Sequence, residues 1–261
     1  MANRNKTTLI TGASKGIGKE FARIHASKGD NLVLIARSRE PLMLLKNELE
    51  SQNSSIKIEV IIKDLTHPNS AKEIYEKLKE KNLQIDYLIN NAGFGEFGFF
   101  VDTDWSRFDQ MIDLNVKSLT HFCHLFLPDM IKRKQGKIMN VSSTAAFQPG
   151  PMMAVYFATK SYVLHLSEAL NNEAKGSGVT VTAFCPGPTD TYFMEDSQME
   201  KSKLLRNIKL PSAHVVALAG YDAMMRSKSV RIYGLLNKLI TFSVRLVPRK
   251  WVVGISRKMQ G

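Results

Sequence analysis

Short apolar strands alternate with helical segments along most of this chain of 261 residues. The predicted strands are largely continuous apolar runs, which is typical of parallel strands that are covered on both faces. They lie at residues 7–11, 32–36, 56–62, 87–90, 137–141 and 179–184. Helices are predicted between them, first from a glycine-rich turn to about residue 29 and then at 41–50, 69–81, 106–133 and 155–175. This alternation predicts an α/β fold with a doubly wound parallel sheet in one domain.

The alternation becomes irregular after Pro186. We expect a loop there, followed by a helix from Pro211, a short strand near residues 229–232 and a helical tail. No internal repeat, low-complexity tract or linker interrupts the chain. The sequence is therefore divided into an α/β domain, residues 1–233, and an amphipathic, basic helical tail, residues 234–261.

The composition is that of a soluble globular protein, with 44% apolar and 23% charged residues. Cys123 and Cys185 lie in apolar surroundings without a partner motif, so we expect buried thiols and a reducing cytoplasm. The first six residues contain no apolar stretch, and no run approaches the roughly 20 apolar residues that a membrane span needs. We therefore expect neither a signal peptide nor a transmembrane helix.

The net charge of +12 is concentrated at the end of the chain. Residues 201–261 hold 13 of the 36 basic residues and one of the 24 acidic residues, Asp222. The rest of the chain is consequently neutral. Such an asymmetry describes a surface and its partners rather than a fold.

A glycine-rich turn follows the first strand, with the spacing Gly12-x-x-x-Gly16-x-Gly18. Gly12 permits a tight reversal, Gly16 lets the backbone approach a pyrophosphate, and Gly18 lets the following helix lie close to the strand. The unpaired amides at the N-terminus of that helix then face the phosphates of a dinucleotide. The alternative is a glycine-rich turn that binds no ligand.

The end of the second strand indicates which dinucleotide is bound. Many NAD enzymes place an acid there to accept a hydrogen bond from the ribose 2′-hydroxyl, whereas this chain has Ala36 followed by Arg37. Lys15, inside the glycine-rich turn, adds a second cation. Two cations without a carboxylate favour the 2′-phosphate of NADP, unless Arg37 is simply a solvated side chain. Asp64 and Leu65, at the end of the third strand, are expected to border the adenine.

Polar residues with catalytic potential follow the later strands. Tyr156 and Lys160 are four residues apart on a predicted helix and therefore share one face. Ser143 closes the fifth strand, and the small residues of 90–93, after the fourth strand, let a ribose lie against the backbone. Asn115 sits on an apolar helical stretch, where a polar side chain has either a structural hydrogen bond or a role in the site. A phenol beside an ammonium is a suitable proton donor.

Taken together, these motifs resemble the short-chain dehydrogenase/reductase family, in its order and spacing, over residues 7 to about 195. The set comprises the octapeptide TGASKGIG at 11–18, NNAG at 90–93, Asn115, Ser143, Tyr156-x-x-x-Lys160 and Pro186-Gly187. The resemblance implies a Rossmann-type domain with a seven-stranded parallel sheet. It also implies a catalytic set composed of Asn115, Ser143, Tyr156 and Lys160.

The resemblance assigns a role to each of these positions. It implies that Tyr156 is the general acid in reduction and that Ser143 donates to the substrate carbonyl. Lys160 would hold the nicotinamide ribose and depress the pKa of the phenol from about 10 toward neutrality, and Asn115 would help to hold a water relay. Thr191 falls where the family contacts the nicotinamide carboxamide. The expected cofactor-binding residues are Gly12, Ser14, Lys15, Gly16, Ile17, Gly18, Arg37, Asp64, Leu65, Asn91, Ala92, Gly93, Tyr156, Lys160, Pro186, Gly187, Thr189 and Thr191.

Apolar residues surround the expected substrate position. They form three stretches, consisting of Phe94, Phe97, Phe99 and Phe100, of Phe147, Met152 and Met153, and of Tyr192, Phe193 and Met194. We expect a wide apolar pocket and hence a hydrophobic ketone, aldehyde or acyl chain. The alternative is that most of these residues are core or oligomer contacts. The histidines have no metal-ligand spacing with nearby cysteines or acids, so no metal is expected.

The tail carries an apolar seam, Leu235, Leu239, Phe242 and Leu246, at a helical spacing. Basic residues lie on its other side, and the tail resembles that of the bacterial DltE-like group of the family. One interpretation is a helix that packs on the domain or on a sister subunit. Another is an interfacial helix on anionic lipid or a dock for an acidic carrier of the substrate. We expect no binding of nucleic acid, since no recognition motif accompanies the charge.

The sequence therefore predicts a cytoplasmic NADP-dependent oxidoreductase that acts on a hydrophobic ketone or aldehyde, or on a secondary alcohol. One alternative is a 3-oxoacyl reductase of fatty-acid metabolism, and another is a non-catalytic NADPH-binding or membrane-associated scaffold. The complete catalytic set counts against the scaffold. The resemblance implies a homodimer or homotetramer that forms through the helices at 106–133 and 155–175. A peripheral contact of the tail with the inner membrane face is a further expectation.

Overall fold

Seven parallel strands form the sheet that the apolar runs predict. In the computed structural model, which describes residues 5–193, 197 and 210–261, the sheet order is β3-β2-β1-β4-β5-β6-β7. The strands are β1 (Thr7–Thr11), β2 (Asn31–Ala36), β3 (Ile58–Ile62), β4 (Tyr87–Asn90), β5 (Gly136–Val141), β6 (Val179–Cys185) and β7 (Val230–Ile232). Strand order reverses between β1 and β4, so the carboxyl ends of these two strands open a crevice. The predicted fold class is confirmed.

Helices cover both faces of the sheet. They are α1 (Gly16–Ser27), α2 (Arg39–Gln52), α3 (Ser70–Glu80), α4 (Trp105–Ile112), α5 (Leu119–Lys132), α6 (Ala154–Glu173), α7 (Ala213–Met225), α8 (Leu235–Ser243) and α9 (Arg249–Gln260). Leu9 of β1 faces the core layer under α3, α5 and α6, whereas its neighbour Ile10 faces the layer under α1, α2 and α7. Both side chains are fully buried, because alternate residues of a strand point to opposite faces.

The predicted helix at 106–133 contains a local change of geometry. It consists of α4, a π-helical turn (Asp113–Ser118) and α5, which follow one another without a break. A π turn inserts one extra residue into the helix, which periodicity over a short window does not reveal. Most other boundaries shift by one to three residues; the third strand, for example, begins at Ile58 instead of Ile56.

The tail is divided into two helices, with Pro248 immediately before the second. Proline lacks an N–H group and disfavours a helical residue before it, so the first helix ends earlier in the chain. In the part of the chain that the structure describes, no helix combines the length and apolar character needed to cross a membrane. The expected loop after Pro186 lies partly outside the described residues. Cys123 and Cys185 are both buried free thiols, as expected.

The glycine-rich turn brings α1 very close to β1. A Cβ atom on Gly18 would lie 2.2 Å from the carbonyl oxygen of Gly12 and 2.4 Å from Nδ2 of Asn91. Gly12 itself has a φ of +67°, in the region that favours glycine. The role expected for Gly18, close contact of helix and strand, thus has a direct structural basis.

Replacing Gly18 by alanine should therefore destabilise the fold by about 1–3 kcal/mol, the usual cost of forcing extra atoms into a filled space. Urea unfolding measures this change. Gly254→Ala is the control, because a Cβ atom there meets nothing within 4 Å and alanine favours a helix interior by up to about 1 kcal/mol. Equal stability of the Gly18→Ala variant and the unmodified protein would contradict this role of Gly18.

Candidate active site

One cavity of about 340 Å³ opens at the carboxyl ends of the strands. All residues that the sequence assigned to catalysis or cofactor binding line it, except Gly18 and Asn115. These two lie directly behind lining residues: Gly18 against Gly12, and Asn115 against Gly93. The topology therefore brings residues from seven separate segments into one site, as expected for a doubly wound sheet.

Tyr156 is buried near the floor of this cavity. Burial raises the pKa of its phenol to about 12, although a hydrogen bond with the Ser143 side chain opposes that rise. The Oγ atom of Ser143 also accepts a hydrogen bond from the backbone N–H of Ala145, at 3.1 Å. This contact leaves the serine proton free for donation to another group.

Lys160 lies one helical turn after Tyr156 and is also buried. Its Nζ atom donates to the carbonyl oxygen of Val141, at 2.9 Å, and stands 5.8 Å from the centroid of the Tyr156 ring. Burial disfavours the ammonium form and lowers the pKa of Lys160 to about 8. In this arrangement burial raises the pKa of the phenol and Lys160 does not offset that rise; the depression of the phenol pKa that the resemblance implies stays a prediction. Desolvation is the largest influence on the pKa of the Tyr156 phenol, and the Lys160 ammonium donates to the backbone carbonyl of Val141.

Short hydrogen bonds fix α6, the helix that carries both residues, against the end of β5. The hydroxyl group of Ser142 donates to the carbonyl oxygen of Lys160, at 2.7 Å. Ser161, one residue further along, donates to the carbonyl oxygen of Ala146, at 2.6 Å. Because these bonds join backbone and side chains of adjacent elements, Tyr156 and Lys160 are held in position by the sheet.

Asn115 lies within the π turn, and its side chain is nearly fully bonded. Its Oδ1 atom accepts from the backbone N–H of Phe94, at 3.2 Å, and its Nδ2 atom donates to Phe94 O, at 2.9 Å, and to Thr159 Oγ1, at 3.1 Å. Of the two interpretations of Asn115, the structure therefore supports the structural hydrogen bond. One lone pair of Oδ1 remains, and it is the only acceptor of the side chain that a water relay could use.

The other end of the cavity fits the nucleotide half of a dinucleotide. The first turn of α1 has no acidic residue, and the side chain of its N-cap residue, Lys15, makes no capping hydrogen bond. Gly16, at the start of that turn, has a φ of +57°, and a Cβ atom there would lie 3.3 Å from Cγ2 of Thr191. A pyrophosphate can therefore approach the backbone closely at a helix N-terminus. The residues present fit the expected cofactor.

Cations surround the position beyond β2, where a ribose 2′-substituent would lie. Arg37 follows β2 and lines the cavity, together with two residues that the sequence did not indicate, Ser38 and Lys63; Lys15 lines the cavity too, with its Nζ atom 5.4 Å from the centroid of the Tyr192 ring. Lys63 forms an ion pair with Glu73. Burial raises the pKa of Asp64, but hydrogen bonds from Thr66 and the charge of Arg37 outweigh it, so the net pKa is low. The motifs of the glycine-rich turn and of β2 could not reveal Lys63, because it directly follows a different strand, β3.

The substrate end of the cavity is mainly apolar. Its lining includes Leu114, Phe157 and four of the predicted residues, namely Phe94, Met153, Tyr192 and Phe193. Five other predicted residues do not line it: Phe97 and Phe147 pack in clusters of buried side chains, Phe99 and Phe100 are exposed, and Met152 lies beside Gly261. Met194 lies outside the described residues. The alternative interpretation, core contacts, thus holds for Phe97 and Phe147.

Two glutamines reach the apolar end of the cavity, Gln148 and Gln260. The amide oxygen of each is buried, and neither has a hydrogen-bond partner among the described residues. They can therefore bind a polar group of a substrate. Gln148 lies between Ser143 and Tyr156 in the sequence, so its place in the chain could have indicated that it belongs to the site. Gln260 comes from the far end of the chain, and only the folded structure brings it to the site.

Within the described residues, no group of histidine, cysteine and acidic side chains could hold a metal ion. The expectation that no metal is used remains a prediction.

Comparison with known proteins agrees with this geometry. A family model described as short chain dehydrogenase matches residues 6–202. The chain is 31% identical over 218 residues to a very-long-chain 3-oxoacyl-CoA reductase of Anas platyrhynchos, covering 81% of this chain and 67% of the relative.

Two solved structures share the fold and about 30% of the sequence. A short-chain dehydrogenase from Sphingobium yanoikuyae in complex with NADPH has a TM-score of 0.82 at 30% identity, covering 94% of this chain and 97% of that one. A bulky-bulky ketone specific alcohol dehydrogenase from Comamonas testosteroni has a TM-score of 0.78 at 30% identity, covering 92% and 93%.

The chain belongs to the short-chain dehydrogenase family. It is accordingly an oxidoreductase, and the predicted enzyme class is confirmed. The assignment to the DltE-like group remains a prediction.

The low pKa of Lys160 predicts how activity depends on pH. Burial lowers that pKa to about 8, so the ammonium is present below pH 8 and is lost above it. If catalysis needs the ammonium, kcat/KM for carbonyl reduction should fall about tenfold per pH unit above pH 8. A pH–rate profile measures this. Lys160→Arg is the control, since arginine keeps its charge; the same decline in its residual activity would assign the titration to another group.

Proposed function

We propose that this protein is an NADP-dependent reductase of bulky, apolar ketones or aldehydes, which also oxidises the corresponding secondary alcohols. One observation carries the proposal: a single cavity is lined by two cations, Lys15 and Arg37, by Ser143, Tyr156 and Lys160, and by an apolar end. Each part matches one requirement of the reaction, namely a phosphorylated cofactor, a proton donor and a hydrophobic substrate.

The choice of NADP rests on the charges beyond β2. Arg37 and Lys15 offer two cations, and Ala36 offers no carboxylate to a ribose 2′-hydroxyl. Guanidinium and ammonium groups bind a phosphate through charge-assisted hydrogen bonds. The similar Sphingobium enzyme, which is described in complex with NADPH, supports this choice.

Replacing Arg37 by alanine should weaken the binding of NADPH about tenfold or more, the scale of one charge-assisted hydrogen bond, and that of NADH far less. Calorimetric titration with both cofactors measures the difference. Arg39→Ala is the matched control, because Arg39 is also exposed but does not line the cavity. Tighter binding of NADH than of NADPH to the unmodified protein would overturn the choice of cofactor.

Residues of this chain supply the proton that the substrate oxygen receives and position the groups around it. Ser143, whose oxygen already accepts from Ala145 N–H, donates a hydrogen bond to the substrate carbonyl oxygen and keeps its proton. Tyr156, with a pKa near 12, stays protonated at neutral pH and transfers its proton to that oxygen as negative charge develops. Lys160 has two N–H groups beyond its bond to Val141, and these are available for ribose hydroxyls. When bound, NADPH supplies the hydride that adds to the carbonyl carbon.

The substrate class rests on the apolar end of the cavity. Phe94, Met153, Phe157 and Phe193 provide bulky apolar walls around Tyr156. A small polar substrate would leave these walls in contact with water, so a substrate with bulky apolar groups is favoured. The similar Comamonas enzyme is described as specific for bulky-bulky ketones.

A 3-oxoacyl reductase remains the second candidate. The Anas platyrhynchos relative carries that description, and the two glutamine oxygens at the apolar end could accept hydrogen bonds from the amide groups of an acyl thioester carrier. The apolar walls suit a long acyl chain equally well. The two candidates differ in the polar group that the substrate carries beyond its carbonyl.

A panel of carbonyl compounds with NADPH consumption as the readout tests both candidates. We expect turnover of ketones with bulky apolar groups on both sides and little turnover of acetone; preference for a 3-oxoacyl thioester would select the second candidate.

Replacing Tyr156 by phenylalanine keeps the ring but removes the proton, so turnover should fall by ~10²-fold or more while NADPH still binds. Full turnover by that variant would exclude the mechanism. No turnover of any compound would favour a non-catalytic scaffold.

The oligomeric state and location belong to the same proposal. Ile131 on α5 and Tyr162 on α6 are large apolar side chains that remain partly exposed, which supports a homodimer or homotetramer formed through these helices. Buried free thiols support a cytoplasmic location. We also propose that the basic tail contacts the inner membrane face.

A further inference from the structure

The first tail helix, α8, is turned with its polar side toward the domain. Thr241 is buried, and Asn237 lies against Gly187, where a Cβ atom would approach the Asn237 Nδ2 atom to 2.4 Å. The four residues of the apolar seam, Leu235, Leu239, Phe242 and Leu246, are between 59% and 74% exposed. A helix that only stabilised the domain would bury its apolar side instead. The seam therefore faces a partner other than the domain.

The second tail helix, α9, exposes an apolar stripe as well. Val252, Ser256 and Gln260 are buried against the domain. Trp251, Ile255 and Met259 follow one another at intervals of four residues and are 68%, 53% and 40% exposed. An exposed tryptophan on such a stripe is typical of helices that lie at a lipid interface.

A separate segment adds to this surface. Phe99, Phe100, Val101 and Trp105 are all large, apolar and exposed. The guanidinium of Arg257, on α9, lies 4.9 Å from the ring centroid of Phe99, so the segment and the tail helix are in contact. We call the α8 seam, the α9 stripe and residues 99–105 together the apolar collar.

The charge of the collar is predominantly positive, although Asp102 and Asp104 in its segment at residues 99–105 are acidic. Residues 235–261 contain six basic residues, Lys238, Arg245, Arg249, Lys250, Arg257 and Lys258, and no acid. In a symmetric contact between two copies of the chain, the six cations of each tail would meet only two carboxylates of the collar, those of Asp102 and Asp104. An anionic lipid surface offers both an apolar interior and negative charge, so it complements both features of the collar.

The tail also borders the cavity. Gln260 lines it, Asn237 of α8 contacts Gly187 in its wall, and α8 contacts the short helix at Thr144–Phe147. We infer that the apolar collar seats the enzyme on anionic phospholipid, with the cavity mouth beside the bilayer. The inference deepens the proposed function and rests on it in one respect: a hydrophobic substrate dissolved in the bilayer can then enter the cavity without crossing water.

Co-sedimentation with vesicles tests the inference without cofactor or turnover. The full chain should bind vesicles that contain phosphatidylglycerol and should bind much less to phosphatidylcholine alone. Binding should weaken at about 1 M salt, where the Debye length falls to ~3 Å. Failure of the unmodified protein to bind anionic vesicles at low salt would overturn the inference, whatever its enzymatic activity.

Matched variants locate the contact. Leu239→Ser with Phe242→Ser, and separately Lys238→Glu with Arg245→Glu, should each lower the vesicle-bound fraction at least about tenfold. The controls should bind as the unmodified protein does: Leu44→Ser with Leu218→Ser, which are exposed on α2 and α7, and Lys28→Glu with Lys175→Glu. Trp251→Ser with Ile255→Ser repeats the test on α9. Equal loss in the control pairs would overturn the assignment to the collar.

Two further measurements distinguish a lipid contact from an interface between copies of the chain and from a catalytic defect. Light scattering gives the oligomeric mass. If the serine variants of the seam change that mass and leave vesicle binding intact, the seam is an interface between copies and the inference is wrong.

With any ketone that the enzyme reduces, the glutamate variants should lose turnover of a vesicle-dissolved substrate several-fold while keeping turnover of a water-soluble substrate. Loss of both would instead indicate a defect of the catalytic site and overturn the link between the collar and substrate entry.

Discussion

The fold depends on the contact between the ends of β1 and β4, where the strand order reverses. Thr11 Oγ1 accepts hydrogen bonds from the backbone N–H groups of Asn91 and Ala92, both at 3.0 Å. The Asn91 side chain donates to the carbonyl oxygens of Thr11 and Gly12, both at 3.1 Å. These four bonds join the glycine-rich turn to the segment after β4, so the phosphate end and the ribose end of the cavity form one rigid unit.

Much of this arrangement could be predicted because it is encoded locally. Strands buried on both faces need continuous apolar runs, and these runs placed β4 at the residues that the structure gives. The close approach at Gly18 excludes any side chain, so glycine marks the turn. Residues that directly follow parallel strands meet at one edge of the sheet. Position in the chain was therefore enough to bring Arg37 and Ser143 to the same cavity, whereas Thr191 was assigned by the resemblance to the family.

Other properties depend on contacts between distant segments, which no local pattern contains. The pKa values of Tyr156 and Lys160 are governed by burial, to which several helices and loops contribute. The amphipathic spacing of α8 showed that its apolar side needed a partner, but which side faced the domain was decided by Gly187 and Asn237. Gln260 reaches the site from a helix that begins more than 60 residues after β6.

The π turn limits how the length of this chain can change during evolution. One residue fewer in Asp113–Ser118 would restore regular α-helical geometry and leave α4 and α5 in register, because the π turn accommodates its extra residue locally, but it would move the residues within the turn. Asn115 would then leave Phe94 and Thr159, to which it is now bonded. Descendants of this sequence can therefore exchange residues along the helix more easily than they can lose a single one.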